Sequence, residues 1–574
     1  MLERERIANR PKHWVRLATA CNSRCVFCLD MDTPRNVFLP RAEVEADLRR
    51  GIDERGATKV ILSGGEATLH PEFTDIVCLA REFGYERVQT VTNGWNLADR
   101  AFYRACMAAG LGEITFSLHG HTAELHDRLT RHPGSWARLL KGMVRALRDP
   151  HGPIVNVDVV INKQNVAVLD RIVELCVGLG VTEFDLLHVI PQAEAFRQRD
   201  DLFYDVREHM DTLHKVFRLN RHPRLVIWTN RFPVSYLEGL EDLIQDPHKM
   251  LDEINGRRLQ VRRYLDAGTP LDCRQPERCQ HCFIEPFCTT TDRVVARQNA
   301  AGFEVWEGSG PLPFGCTRRG VRVARWADLP VEPVEAAGLP AEAPQPVAAP
   351  VRAIAETAEQ LDAWLSSDLP VGLDVEIRLN RDTAAWMLAH RGRLAANLGA
   401  LRVHQPSYET LAEAAACDVR DPAVFYRTLD LNIQTSGLPA CLAPDARLVE
   451  PIHRLSEGLF QEGRLDVQAL ARHHVREGYR ARSERCRDCA MDLHCDGIHV
   501  NMIRDQGLAL ARPLAIAPAG LPLRDRVAHG RPAEPVAPSL PGCSPPPEPP
   551  RDPLAIISER LGERRAARRA ARGG

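Results

Sequence analysis

Three cysteines lie within eight residues near the start of the chain, in the segment CNSRCVFC. They are Cys21, Cys25 and Cys28, and they follow the short apolar segment HWVRLATA. Cysteines at this spacing could bind zinc, form a disulfide or hold an iron–sulfur cluster. Structural zinc normally takes four protein ligands, and no fourth Cys or His lies at a finger-like spacing here. Three thiolates on one tight loop fit three corners of a [4Fe–4S] cube and leave one iron open to a substrate or cofactor.

Two later groups of cysteines share a spacing. The segments PERCQHCFIEPFC and SERCRDCAMDLHC both start with ERC and repeat the pattern C-x2-C-x5-C. This indicates an internal repeat of a metal-binding element. We expect the earlier element to use Cys273, Cys279, Cys282 and Cys288, with Cys316 as a spare or substitute ligand. We expect the later element to use Cys441, Cys486, Cys489 and Cys495. Four thiolates also suit zinc, so zinc remains the alternative at both elements.

The remaining cysteines carry no such pattern. Cys78, Cys106 and Cys176 lie singly in helical patterns, where a buried small hydrophobic role is expected. Cys417 lies in an alanine-rich helix and Cys543 in a proline-rich tail, and neither is expected to be a ligand.

Composition excludes several classes of protein. The 574 residues are 44% hydrophobic and carry a formal net charge of -2, so nothing in the overall charge favours binding to nucleic acid or a membrane surface. We find no signal peptide and no apolar run long enough to span a bilayer. Without export, the 17 cysteines would stay reduced, which favours metal ligation over disulfides and predicts a cytoplasmic protein.

Short β-branched runs alternate with helical patterns in the first part of the chain. This alternation predicts βα units and a parallel sheet. The expected strands are residues 13–20, 59–63, 87–92, 113–118, 154–161 and 183–190. The expected helices are residues 41–55, 72–83, 97–109, 136–148 and 166–179. Six such units predict an α/β fold of the partial (βα)6 TIM-barrel type, with chemistry at the carboxyl ends of its strands.

Composition also divides the chain. Pro/Ala-rich and Arg-rich segments interrupt the periodic patterns and predict linkers or tails. The predicted division is a core barrel at 1–230, a first cysteine-rich extension at 231–327, a linker at 328–353, a second α/β domain at 354–512 and a disordered tail at 513–574.

The segment CNSRCVFC after the first strand and LSGGEATLHP after the second resemble the radical S-adenosylmethionine (SAM) superfamily. TNG at 92–94 and SLHGHTAELHDRLT at 117–130 follow the third and fourth strands in the order of that family. The resemblance covers roughly residues 10–230. It implies a SAM-binding [4Fe–4S] cluster on the three cysteines, and an electron donor such as flavodoxin or ferredoxin. The later cysteine elements resemble the SPASM and twitch extensions, which implies one or two auxiliary [4Fe–4S] clusters.

The resemblance also assigns residues to SAM. Gly64, Gly65 and Glu66 would meet its methionine end, and Phe27 would lie near its adenine. Its remaining contacts would come from strand ends, at Thr92, Asn93, Ser117, Asn162 and Val189.

The expected activity is reductive cleavage of SAM to a 5'-deoxyadenosyl radical that abstracts hydrogen from a substrate. By analogy with SPASM-bearing relatives, the leading substrate class is a precursor peptide or a protein side chain. A small molecule, as in the GTP cyclase of molybdopterin synthesis, and a tRNA are the alternatives within the superfamily. A non-catalytic iron–sulfur or zinc scaffold is the alternative of another class.

Overall fold

The computed structural model describes residues 11–299, 305–307, 323–325, 351–366, 369, 373–451, 454–462 and 464–515. These residues belong to two compact units, one ending at Phe232 and one beginning at Pro233. Cys316, Cys543, most of the predicted linker and nearly all of the predicted tail lie outside the described residues. Within the described ranges, no helix is both long and apolar enough to cross a membrane.

The first unit is built on a seven-stranded, all-parallel sheet in sequential order. Its strands are β1 Lys12–Ala18, β2 Lys59–Gly64, β3 Arg87–Thr92, β4 Glu113–Ser117, β5 Ile154–Ile161, β6 Glu183–His188 and β7 Val226–Asn230. Its helices are α1 Arg41–Asp53, α2 Phe73–Glu82, α3 Arg100–Ala108, α4 Ala123–Thr130, α5 Ser135–Arg148, α6 Leu169–Leu179, α7 Ala193–Arg197, α8 Arg199–Leu202 and α9 Met210–Phe217. The α/β class and the parallel partial barrel are confirmed, and β7 is a strand that the sequence analysis missed.

Side-chain hydrogen bonds join the strands at the amino end of this sheet. The carboxylate of Glu113, at the start of β4, is 4% exposed and accepts hydrogen bonds from Lys59 at 2.8 Å and from Asn156 at 2.8 Å. These bonds tie β2, β4 and β5 together near their amino ends. The opposite, carboxyl end carries the loops in which parallel barrels place their chemistry.

The second unit contains a six-stranded parallel sheet in the order β14-β13-β12-β11-β10-β9. The strands of the unit are β8 Val305–Glu307, β9 Val323–Arg325, β10 Val351–Ala355, β11 Leu373–Arg378, β12 Leu401–His404, β13 Gln434–Ser436, β14 Arg447–Leu448, β15 Arg454–Ser456, β16 Phe460–Gln461, β17 Arg464–Leu465, β18 Arg480–Ala481 and β19 Ile498–His499. Its helices are α10 Lys249–Asn255, α11 Arg258–Ala267, α12 Pro276–Cys279, α13 Glu285–Asn299, α14 Ala358–Leu365, α15 Arg381–Ala389, α16 Arg391–Ala396, α17 Leu411–Cys417, α18 Pro422–Leu429, α19 Val467–His473 and α20 Val500–Gln506.

The two cysteine-rich segments share this second unit. One buried apolar cluster joins α10, α11 and α13 to α19, and Thr290 and His474 are hydrogen-bonded across it at 2.8 Å. Near the later cysteines, Glu238 accepts a hydrogen bond from Ser483 at 2.5 Å. The segments predicted as two domains therefore contribute to one folded body, and their boundaries remain a prediction.

Candidate functional site

The loop that follows β1 carries the first three cysteines and is fixed to the end of α4. The amide of Arg24 donates to the carbonyl of Thr130 and the amide of Val26 to that of Leu129, both at 2.9 Å. Backbone hydrogen bonds on alternate residues therefore hold the loop in place, so the positions of its cysteines do not depend on long side chains. The amide of Ser23 also donates to Sγ of Cys21 at 3.4 Å.

Apolar residues between the cysteines anchor the same loop. Val26 and Phe27 are each 7% exposed and pack into a buried cluster that also contains Val189, at the carboxyl end of β6. Cys25 packs against this cluster. The ring of Phe27 meets the ring of His119 edge-on, with centroids 4.7 Å apart. Two residues assigned to SAM by resemblance, Phe27 and Val189, thus lie in one apolar wall.

The two glycines at the end of β2, Gly64 within the strand and Gly65 directly after it, are required by close approach of two loops. The amide of Gly65 donates to the carbonyl of Ala18 at 2.7 Å. A Cβ on Gly64, whose φ is +138°, would lie 2.2 Å from that carbonyl oxygen, and a Cβ on Gly65 would lie 2.4 Å from the carbonyl oxygen of Ala20. Any larger residue would push the two loops apart.

Glu66 ties three loops together. Its buried carboxylate, 1% exposed, accepts hydrogen bonds from the amide and hydroxyl of Thr68, at 3.1 and 2.5 Å. It also accepts from the hydroxyl of Thr92 and the amide of Asn93, both at 2.7 Å. The side-chain amide of Asn93 in turn donates to Oδ1 of Asn22, between the first two cysteines, at 2.6 Å. The loops after β1, β2 and β3 are therefore one hydrogen-bonded assembly.

Burial dominates the electrostatics of this assembly. It raises the pKa of Glu66, against the lowering effect of the four hydrogen bonds. Burial, Glu66 and Cys28 raise the pKa of Cys21 to about 12. Burial and the two neighbouring thiols raise the pKa of Cys25, and burial raises that of Cys28. Arg35 lowers the pKa of Cys21 and, with Arg16, that of Cys28, but burial outweighs both, so the thiols keep their protons until metal ligation deprotonates them.

The strand-end residues beyond β3 lie in two settings. Ser117, at the end of β4, donates to the carboxyl of Asp158 on β5, whose pKa burial raises to about 7. Asn162 is fully buried, and its side chain donates to the carbonyl of Val160 and accepts from the amide of Gln164, both at 3.0 Å. SAM contacts at these positions remain predictions.

His119 and His126 form a buried pair beside the cysteine loop. Nδ1 of His126 accepts a hydrogen bond from the amide of His119 at 3.1 Å. Burial and the neighbouring His126 lower the pKa of His119, and burial lowers that of His126 to about 4. Both rings are therefore neutral at pH 7 and help to pack the loop, a role that the sequence alone did not show.

The earlier cysteine element of the second unit brings its four described thiols together. Cys273, Cys282 and Cys288 pack against one apolar cluster. Burial raises the pKa of Cys282 to about 11 and that of Cys288 to about 12. The neighbouring Cys273 contributes to both increases. Burial also raises the pKa of Cys279, although the nearby guanidinium of Arg274 acts to lower it.

The later element brings Cys441 to the other three cysteines. Cys441 lies just after β13, yet it interacts electrostatically with Cys489, and both Cys486 and Cys495 interact with it. Backbone amides point at these sulfurs: Gly497 donates to Cys495 at 3.3 Å, and Leu514 to Cys489 at 3.3 Å. Hydrogen bonds to cysteine sulfur are typical of iron–sulfur sites, so this donor set fits a cluster.

A mononuclear metal site is not found in the part of the chain that the structure describes. No group of three or more His, Cys, Asp or Glu side chains there is arranged to hold one metal ion. A single zinc ion needs each sulfur within about 2.3 Å. A cube-shaped cluster offers a different iron to each thiolate, so its ligands stand further apart.

The lone cysteines lie outside these groups. Cys106 and Cys176 are fully buried in α3 and α6, as predicted, and Cys78 is partly exposed in α2. Cys417 ends α17 and is hydrogen-bonded to Tyr408.

Comparison with known proteins connects this geometry to a family. The family model described as the radical SAM superfamily matches residues 15–176. A probable GTP 3',8-cyclase of Saccharolobus solfataricus is 29% identical over 220 residues, which are 37% of this chain and 70% of that protein. A probable GTP 3',8-cyclase of Sulfurisphaera tokodaii is 25% identical over 236 residues, 41% of this chain and 72% of that protein.

Among solved structures, Streptococcus suis SuiB bound to S-adenosylmethionine is 17% identical with a TM-score of 0.32, and the match covers 38% of this chain and 50% of SuiB. This chain thus matches half the length of SuiB. The family match covers the cysteine loop, the two glycines and the Glu66 assembly. Residues 15–176, within the N-terminal barrel, therefore form a radical SAM domain.

Proposed function

We propose that this protein is an enzyme that cleaves SAM reductively at a [4Fe–4S] cluster held by Cys21, Cys25 and Cys28. The 5'-deoxyadenosyl radical so formed would abstract hydrogen from a substrate, with a peptide or protein side chain as the preferred class. The observation that supports this most strongly is the Glu66 assembly. This assembly holds the loop with the three cysteines against the glycine pair at the end of β2. Three cysteine ligands would leave one iron of the cluster open.

The residues around the loop would have separate roles. When bound and reduced, the cluster would supply the electron that breaks a carbon–sulfur bond of SAM. Phe27 and Val189 would form an apolar wall for the adenine, because both are buried in one cluster beside Cys25. The backbone at Gly64 and Gly65 would receive the methionine end. Glu66 would hold these loops in register, since four protein donors already occupy its carboxylate.

The two later cysteine groups would hold auxiliary [4Fe–4S] clusters. Each has four cysteines among the described residues, one for each iron of a cube. Full protein ligation leaves no open iron, so these clusters would carry electrons rather than bind the substrate. Zinc is the alternative at both sites, and assays of iron and acid-labile sulfide distinguish the two.

A small-molecule substrate is the second candidate. The support for it is the similarity of the barrel to probable GTP 3',8-cyclases at 25–29% identity. GTP is therefore the first compound to test. Consumption of GTP that depends on SAM would overturn the peptide proposal and leave the radical chemistry intact.

The experiment for the radical chemistry compares two cysteine variants. Protein reconstituted under anaerobic conditions should hold about three clusters and release 5'-deoxyadenosine with SAM and a strong reductant. Cys25→Ala should reduce that release to background, because it removes one ligand of the open cluster. Cys78→Ala is the matched control and should stay within about twofold of wild type, since Cys78 stands alone in α2. Release that survives Cys25→Ala, or protein that contains zinc and no labile sulfide, would refute the proposal.

A further inference from the structure

A pocket opens at the carboxyl end of the second parallel sheet. Its floor is formed by residues that directly follow two neighbouring strands, Gln405 after β12 and Gly437 after β13. The empty space in and in front of the pocket amounts to about 250 Å³, part of it open to solvent, and Leu438, Ile498 and Met502 supply the apolar lining. Open α/β sheets characteristically bind ligands beyond the carboxyl ends of their strands.

Gln405 gives this pocket a buried hydrogen-bond acceptor. The residue is 2% exposed, and its side-chain nitrogen donates to Oδ1 of Asp418 at 2.9 Å and to the carbonyl of Pro406 at 3.0 Å. These two acceptors fix the orientation of the amide. Its oxygen, Oε1, is buried and accepts no hydrogen bond from the described part of the chain. A buried acceptor without a partner destabilises the fold, and a hydrogen-bond donor from a ligand would remove that penalty.

Ser407 gives the pocket a donor. Its hydroxyl oxygen accepts a hydrogen bond from Nη2 of Arg480 at 3.0 Å. A hydroxyl that accepts in this way still carries one proton to donate. Two further lining residues are Asp418, whose pKa burial raises to about 7, and Arg480, whose guanidinium already donates to Gly437, Gly497 and Ser407, so a neutral polar ligand fits these walls better than an ion.

We propose that this pocket binds a neutral amide group. Its N–H would donate to Oε1 of Gln405, and its carbonyl would accept from the hydroxyl of Ser407. Such a group is present in the side chains of asparagine and glutamine and in the peptide bond itself. The inference goes beyond the radical chemistry, because the pocket lies in the second unit and its occupancy needs neither SAM nor a reductant.

The pocket is connected to the later cysteine group. Nη1 of Arg480 donates to the carbonyls of Gly437 at 3.1 Å and Gly497 at 3.4 Å. These glycines lie four residues before Cys441 and two residues after Cys495. A ligand bonded to Ser407 would therefore be connected, through Arg480, to the loops that carry two of those four sulfurs.

The test measures binding to the full chain without SAM, by isothermal titration and saturation-transfer NMR. The probes are the N-acetyl, N-methylamide derivatives of glutamine, glutamate and methionine. Stronger binding of the glutamine probe than of the other two identifies a side-chain amide as the ligand. Equal binding of all three identifies the peptide group, which also supports the proposal. Absence of binding by every probe overturns it.

Variants locate the binding. Gln405→Leu should weaken it about three- to tenfold, the cost of one lost hydrogen bond. Leu438→Trp should abolish binding by filling the pocket. Because Leu438 is partly exposed, this variant should fold and keeps the proposal testable if Gln405→Leu does not fold. Leu388→Trp is the matched control, because Leu388 is 40% exposed on α15 and does not line the pocket. Unchanged affinity in Leu438→Trp would show that the probes bind elsewhere and overturn the proposal.

Discussion

Replacing Glu66 by Gln tests whether this carboxylate is a structural tie or a ligand for SAM. Glutamine can keep Oε1, which accepts from Thr68 and Thr92, but it places an amide nitrogen where Oε2 accepts from Asn93. Two donors then face each other in a buried site. Leaving one buried donor unsatisfied costs about 1–3 kcal/mol, so local opening of these loops should become about fivefold or more easier.

Hydrogen exchange without SAM measures this opening directly. Peptides that cover residues 62–70 and 90–96 should exchange at least about fivefold faster in Glu66→Gln. Iron retained after anaerobic reconstitution should also fall, since Asn93 links the Glu66 carboxylate to Asn22 beside the cysteines. Glu82→Gln, at an exposed position in α2, is the control and should change neither quantity.

The outcome separates two roles. If exchange and iron content match wild type while SAM affinity alone falls, Glu66 is a direct contact for SAM and the structural argument is wrong. If exchange rises before SAM is added, the carboxylate is a tie between loops.

Two further predictions concern the second unit. Burial raises the pKa of Asp418 to about 7, so the folded protein holds a proton there that the unfolded chain loses near pH 4. The free energy of unfolding should therefore fall as the pH rises from about 4 to 7. Asp418→Asn should remove up to about 4 kcal/mol of that decrease, as measured by chemical unfolding at several pH values. A constant difference between variant and wild type from pH 4 to 8 would contradict this. Cys441→Ser should lower the iron content by about four atoms per chain, whereas Cys417→Ser should leave it unchanged. Equal iron loss in both would show that Cys441 is no ligand.

Much of the first unit could be predicted because its signals are local. Alternating β-branched runs and amphipathic helices have short periods, so six of the seven strands were predicted. The missed strand, Val226–Asn230, follows a longer stretch of short helices and is only five residues long. The family of the barrel was equally accessible, because the cysteine spacing and the Gly-Gly-Glu segment are both continuous in sequence.

The physical roles within the site could not be predicted in this way. Sequence analysis assigned the glycine pair to SAM, which remains a prediction, and the structure adds that each glycine is needed for close approach to the backbone at Ala18 and Ala20. It placed Glu66 at the methionine end of SAM, and the structure adds that four donors from its own and the following loop surround the carboxylate. Such contacts join residues that are distant in the sequence, as Asn22 and Asn93 are at 71 positions apart.

The sequence by itself determined which residues could do the chemistry: three cysteines at a cluster spacing, a glycine pair after the second strand, and a repeated C-x2-C-x5-C element. Only the tertiary structure decided how they are held. It set Glu66 between three loops, gathered Cys441 with cysteines 45 to 54 positions later, and left the amide oxygen of Gln405 buried in a pocket. The reason is that ligand spacing is a property of one short segment, whereas burial and hydrogen-bond partners depend on which distant segments meet.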